Sequence, residues 1–172
     1  MADAGVAGIA AEGDGGAMSG LKFDHLGVVV RELESGREFL RAGLGIGEWS
    51  EVFVDEGIGV YVQFGRGEDG PCYELIAPLG ETSPVAGALQ GGKHILNHVA
   101  YRTGAMEVEG ERLRGLGCVA AGQALPAVAY GGKRVQFWLS PLRFMIELIE
   151  APEHEHVYPA TNHIQENSAA NR

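Results

Sequence analysis

Two stretches decide the reading of this chain: CYELIAP at residues 72–78 and MIELIEAP at 145–152. Each sets one glutamate, Glu74 and Glu147, inside a short apolar run with the composition of a buried strand. A carboxylate buried alone is costly, so it is expected to be paired, hydrogen-bonded or bound to a metal.

Working outward, the surroundings of the two glutamates also repeat. Residues 22–30, in LKFDHLGVVV, read as a strand. RELESGREFLRAGLG follows, with Leu33, Leu40 and Leu44 near helical spacing and a glycine stop at Gly43 or Gly45. Strands over 48–55 and 58–65 come next, and RGEDG at 66–70 turns the chain into the Glu74 strand. From Leu96 the order recurs. LNHVAYRT is a strand, MEVEGERLRGLG a short helix, CVAAGQALPAVAY a broken extended region, and GGKRVQFWLS and RFMIELIEAP two further strands.

The spacing makes this a duplication. His25 and Glu74 are separated by 49 residues, as are His98 and Glu147, and one shift relates the pairs (98 − 25 = 147 − 74 = 73). So long a period fits a duplicated module rather than a solenoid. The expected organisation is a disordered leader at 1–20, a β-α-β-β-β module at 21–80, a linking helix at 81–94, a second module at 95–152 and a polar tail at 153–172. In the linker, Ser83 reads as N-cap, Pro84 as first helical residue and Gly91 as stop.

The 172 residues carry a formal net charge of −10. That balance argues against unspecific binding to nucleic acid or an anionic membrane, which would repel the chain. No apolar run reaches membrane-spanning length, and MADAGVAGIAAEGDGGAMSG lacks the basic start of a signal peptide. The two cysteines, Cys72 and Cys118, form no C-x-x-C pair and read as reduced thiols of a cytoplasmic protein.

Within each module the first strand carries a histidine and the last a glutamate, and these strands can be neighbours in one sheet. Two modules about a pseudo-two-fold would then gather His25, Glu74, His98 and Glu147 at one point. Two imidazoles and two carboxylates suit Co, Ni, Mn, Fe or Zn, with open positions for water or substrate. The competing reading gives each histidine an ordinary hydrogen bond and each glutamate an arginine, such as Arg102 or Arg134, or a place on the solvent face.

The motifs DHLGVVVRELESG, YELIAPLGETSPVAGAL, LNHVAYR, GGKRVQF and MIELIE resemble the vicinal-oxygen-chelate superfamily, and within it methylmalonyl-CoA epimerase-like proteins. The resemblance covers about residues 22–152. It implies an α+β fold of two tandem β-α-β-β-β modules in a U-shaped eight-stranded mixed sheet around a metal site. The implied ligands are His25, Glu74, His98 and Glu147, holding one divalent first-row ion. The implied activity is isomerase or epimerase chemistry through an enolate of a small-molecule substrate, with an acyl-CoA thioester as candidate. Relatives are often homodimers.

In the resembled epimerases a glutamate in an EQGV-type turn serves as base. Here the turn reads VDEGIGVYV, and Glu56 takes that place with a one-residue shift, with Asp55 beside it as a turn carboxylate. Glu147 could also move a proton, as a metal-bound glutamate does in glyoxalase-type enzymes. Lys133 and Arg134 are the candidate contacts for an anionic substrate, or solubilising residues at a hairpin. SPLRF is shorter than the loop epimerases tend to have before the last strand. The same ligand classes serve a glyoxalase I-type lactoylglutathione lyase. A metal-free antibiotic-binding protein or an extradiol dioxygenase fits the four-residue set less well. His154, His156 and His163 read as part of a polar, mobile tail.

Overall fold

The computed structural model describes residues 20–90 and 96–159. Residues 1–19 of the expected leader, the Gly91 stop and His163 lie outside them. The first module runs β1 (Lys22–Val29), α1 (Leu33–Leu44), β2 (Glu48–Trp49), β3 (Phe53–Asp55), β4 (Val60–Arg66) and β5 (Tyr73–Pro78). After α2 (Ala86–Gln90) the second runs β6 (Leu96–Arg102), α3 (Met106–Gly115), β7 (Val119–Ala120), β8 (Leu125–Ala127), a 3-10 turn (Val128–Tyr130), β9 (Lys133–Leu139) and β10 (Met145–Ile149). The hydroxyl of Ser83 caps nothing, and the backbone carbonyl of Ser83 instead accepts from Ala86 N–H at 3.1 Å.

All ten strands join one open mixed sheet in the order β2-β4-β5-β1-β6-β10-β9-β7, with β3 added on β4 and β8 on β9. In each module the first strand pairs in parallel with the last, β1 with β5 and β6 with β10. The modules meet where β1 and β6 run antiparallel, so the pseudo-two-fold axis lies at the centre of the sheet. Eight strands become ten because the edge strand of each module is broken. In the first, Ser50 N–H reaches Phe64 O at 2.9 Å, but Phe64 N–H is answered by the Ser50 hydroxyl at 3.0 Å instead of a carbonyl. In the second, the chain between β7 and β8 passes through Gly122 at φ +99°, a conformation favourable only to glycine.

Strand alternation sorts the side chains into layers. Leu75 in β5 packs outward with Leu40 of α1 and Ile46. Leu148 in β10 packs outward with Trp138 of β9 and with Met106 and Leu113 of α3. Their neighbours Ile76 and Ile149 point inward, with Val60, Val62, Phe64, Tyr130 and Val135, into a core shared by both modules. The helix stop falls on Gly45 at φ 70°, whose N–H returns to Arg41 O. The arms of the sheet are tied by Asp55, whose Oδ1 accepts from Ile58 N–H and Oδ2 from Val128 N–H, both at 2.9 Å. Among the described residues no helix is long and apolar enough to cross a membrane.

Replacing Ser50 by Ala leaves the buried Phe64 N–H without its acceptor. The expected loss is about 1–3 kcal/mol, read as a lower urea midpoint at unchanged slope.

Candidate metal centre

The four residues sit at the pseudo-two-fold axis, and two faults in the ladder put the histidines there. Phe23 pairs with Tyr101 and Leu26 with Val99, so Asp24 and His25 together oppose Ala100. Gly27 pairs with His98 and Val28 with Leu96, so Asn97 and His98 together oppose Gly27. Each fault is a one-residue bulge, which lets two consecutive side chains turn to the same side of the sheet. Space on the far side is equally constrained. A Cβ on Gly27 would lie 2.2 Å from His98 Cε1.

The functional atoms then converge. His25 Nε2 is 2.9 Å from His98 Nε2, 3.2 Å from Glu74 Oε2 and 3.3 Å from Glu147 Oε2. His98 Nε2 is 3.3 Å from Glu74 Oε2 and 3.2 Å from Glu147 Oε2. All four residues are buried. The other ring nitrogens are taken: His25 Nδ1–H donates to Asp24 Oδ2 at 2.8 Å, and His98 Nδ1–H to Asn97 Oδ1 at 3.0 Å. Both Nε2 lone pairs therefore face the two carboxylates.

This donor set fits a divalent first-row ion. Separations of 2.9–3.3 Å are those of atoms sharing an ion at about 2.0–2.2 Å. Glu147 Oε2 is buried and, among the described residues, faces the two Nε2 atoms without a backbone or hydroxyl donor of its own, so it is free to serve as a ligand atom. The arginines of the competing reading are engaged elsewhere. Arg102 Nε lies 2.8 Å from Asp24 Oδ1, and Arg134 pairs with Glu150 and Glu107.

Without an ion, protons take its place. Burial opposes charge on His25, but the negative charge of Glu74, and the hydrogen bonds that protonated His25 donates to Asp24, Glu147 and Glu74, hold its pKa well above the usual 6.5. His98 is raised in the same way, burial being outweighed by Glu147 first and then Glu74. Burial pushes Glu74 up, yet His25 and His98 pull it down to about 2. Asp24, also buried, is held far below the carboxylate range by His156 and His25. It accepts further from the Tyr130 hydroxyl at 2.6 Å.

The centre forms the inner end of a cleft of about 580 Å³, bordered by Glu74, His98 and Glu147 and otherwise walled mainly by apolar side chains, Ile58, Val85, Leu125 and Phe137 among them. Of the other expected site residues, Glu56 is exposed on its turn and does not line the cleft. Asp55 does line it, buried rather than solvated, with both oxygens taken by backbone N–H groups. Arg134 is held in its carboxylate pairs, while Lys133 makes no ion pair among the described residues. The tail departs from expectation too. As far as Tyr158 it packs on the fold, with His156 against Asp24 and the His154 carbonyl bonded to Arg102. The sequence reading gives no role to Asp24, Asn97 or Tyr130 and places His156 in a mobile tail, where the structure docks it on Asp24. The 73-residue shift superposes DH on NH, so an acceptor ahead of each histidine was there to be seen.

Residues 24–137 match the Glyoxalase/Bleomycin resistance protein/Dioxygenase superfamily. The chain belongs to that superfamily, and its sheet is the vicinal-oxygen-chelate fold. No curated protein matches it in sequence. Among solved structures, methylmalonyl-CoA epimerase from Mycobacterium tuberculosis is similar with a TM-score of 0.64 at 24% identity, over 77% of this chain and 90% of that one. A hypothetical protein from Bacillus halodurans C-125 gives 0.67 at 22%, over 80% and 99%. A Streptomyces coelicolor methylmalonyl-CoA epimerase in complex with 2-nitronate-propionyl-CoA gives 0.59 at 24%, over 74% and 94%. At these identities the likeness is one of fold.

Two outcomes are expected. Gly27→Ala drives a methyl into His98 and should weaken metal binding by about tenfold or more, read by calorimetric titration with Co²⁺. In chelator, the raised histidine pKa values contribute stability that is complete below about pH 6.5 and is lost as pH rises through them. Glu74 contributes stability that is complete above about 4.5 and is lost on acidification toward about 2. Thermal melts across pH should therefore fall away on both sides, and adding metal should remove the alkaline loss.

Proposed function

We propose that the protein is a divalent-metal-dependent isomerase that moves the α-proton of a carbonyl substrate. An acyl-CoA thioester is the substrate class, as for methylmalonyl-CoA epimerase. The observation that carries this reading is the convergence of two Nε2 and two carboxylate oxygens, 2.9–3.3 Å apart, at the inner end of a largely apolar cleft. A divalent ion in that set supplies a Lewis acid for the substrate carbonyl and a positive charge for the enolate oxygen.

The remaining work falls to the chain. His25, Glu74, His98 and Glu147 hold the ion. Asp24 and Asn97 fix the tautomer that directs both Nε2 atoms to it. The apolar walls exclude water and so protect a carbanionic intermediate from stray protonation. Three carboxylates border the cleft, Asp55, Glu74 and Glu147. Asp55 spends both oxygens on backbone N–H groups, so the reading gives the proton at the α-carbon to Glu147. Glu56 would reach substrate only if its turn moved. Pro84 and Val85, from the SPV segment that carries the epimerase resemblance, form part of the cleft wall. The reading assigns Lys133 to the phosphates of the thioester carrier.

The test combines metal content with exchange. The purified protein is expected to hold about one first-row ion per chain, lost in His98→Ala and Glu74→Ala. The loaded protein should exchange the α-proton of methylmalonyl-CoA in heavy water, and Glu147→Gln should slow exchange by about 10²–10⁴-fold. Metal binding without exchange on any acyl thioester, but with turnover of a glutathione hemithioacetal, would transfer the assignment to the lyase reading.

A further inference from the structure

A pseudo-two-fold axis through the metal centre implies two clefts, one beside each histidine, yet among the described residues the one beside His98 is open and the one beside His25 is filled. On the His98 side the open cleft is walled by Asn97, Phe137 and Met145. The residues 73 positions earlier are Asp24, Phe64 and Cys72. Their geometry repeats: Phe64 stands edge-on to His25 at 5.4 Å between centroids, and Phe137 edge-on to His98 at 5.2 Å.

The space beside Asp24, Phe64 and Cys72 is filled by the chain itself. His156 stacks on Phe64 with ring centroids 3.9 Å apart and places Nε2 2.9 Å from Asp24 Oδ2. The Tyr158 hydroxyl lies 3.2 Å from Cys72 Sγ. Arg102 donates to the His154 carbonyl, and the Arg66 guanidinium covers the Tyr158 ring at 4.2 Å from its centroid. Each wall that faces free volume on one side faces a side chain of the C-terminal segment on the other.

We propose that residues 154–158 are a built-in occupant of the second cleft, and that His156 is a positioning residue for the metal centre. It fixes Asp24, which in turn fixes His25. The occupant displays the chemistry its cleft recognises: a planar heteroaromatic ring stacked on Phe64 and donating an N–H to a carboxylate. With the segment in place, substrate would reach the four-residue centre from the His98 side, so a symmetric scaffold offers an asymmetric approach.

The probe is free imidazole on metal-free, full-length His156→Ala, in which one ring is removed and its neighbours stay. Imidazole should bind this variant saturably and raise its Tm, or refold it if it is unfolded, and should leave metal-free wild type unmoved. Without imidazole the variant should bind Co²⁺ about tenfold more weakly than wild type. His156→Phe keeps the stack but loses the N–H, so it should fold normally and show the same loss. Unchanged Co²⁺ affinity in His156→Phe, or no effect of imidazole on His156→Ala, would overturn the proposal. The imidazole arm needs no metal and no substrate. It therefore reads out even if the wild-type chain binds no ion and the proposed activity fails.

Discussion

Two carboxylates and two imidazole lone pairs cannot share one buried point without positive charge among them. Their four ligating atoms lie within 4.8 Å of one another, in surroundings where an uncompensated charge is far costlier than in water. The neighbouring structure answers to this demand. The paired bulges turn the histidines inward, Gly27 clears room for one ring, and Asp24 and Asn97 hold the Nδ1 hydrogens away from the cluster. Protons can meet the demand in part, as the raised histidine pKa values show. A dication meets it more fully, because it leaves the Nε2 lone pairs available as ligands.

The two halves answer the demand with unequal chemistry. Asp24 is an ion with four partners around it, His25, Tyr130, His156 and Arg102. Asn97, its counterpart, is neutral and borders the open cleft. A carboxylate behind His25 makes that imidazole the more basic donor, while an amide behind His98 leaves its ring less polarised. The stronger support thus lies on the side that His156 fills.

Much of this was legible in the sequence because duplication prints a site twice. His25 and Glu74, met alone, are a histidine and a glutamate in apolar strands, which most folds satisfy with local hydrogen bonds. Their recurrence at one shift ties them to a shared point, and the strand order then follows from pairing first with last. Other features left no such mark. The breaks after Trp49 and Ala120 depend on which backbone groups find partners across the sheet, which pattern does not encode. The docking of His156 depends on contacts with Phe64 and Asp24, 92 and 132 residues away (156 − 64 and 156 − 24). Glu56 had a family position to inherit, but the turn that carries it holds it in solvent.

The bulges carry a consequence for how such a protein can change. A strand in perfect register would send Asp24 and His25 to opposite faces, and likewise Asn97 and His98. Deleting one residue from either pair would give a more regular seam with every rung filled. It would also remove either a ligand or the acceptor that aims it. The site is therefore written as a miscount between two strands rather than as side chains alone. Selection for a better-knit sheet would erase it, so improvement of the scaffold and retention of the chemistry pull in opposite directions at this seam.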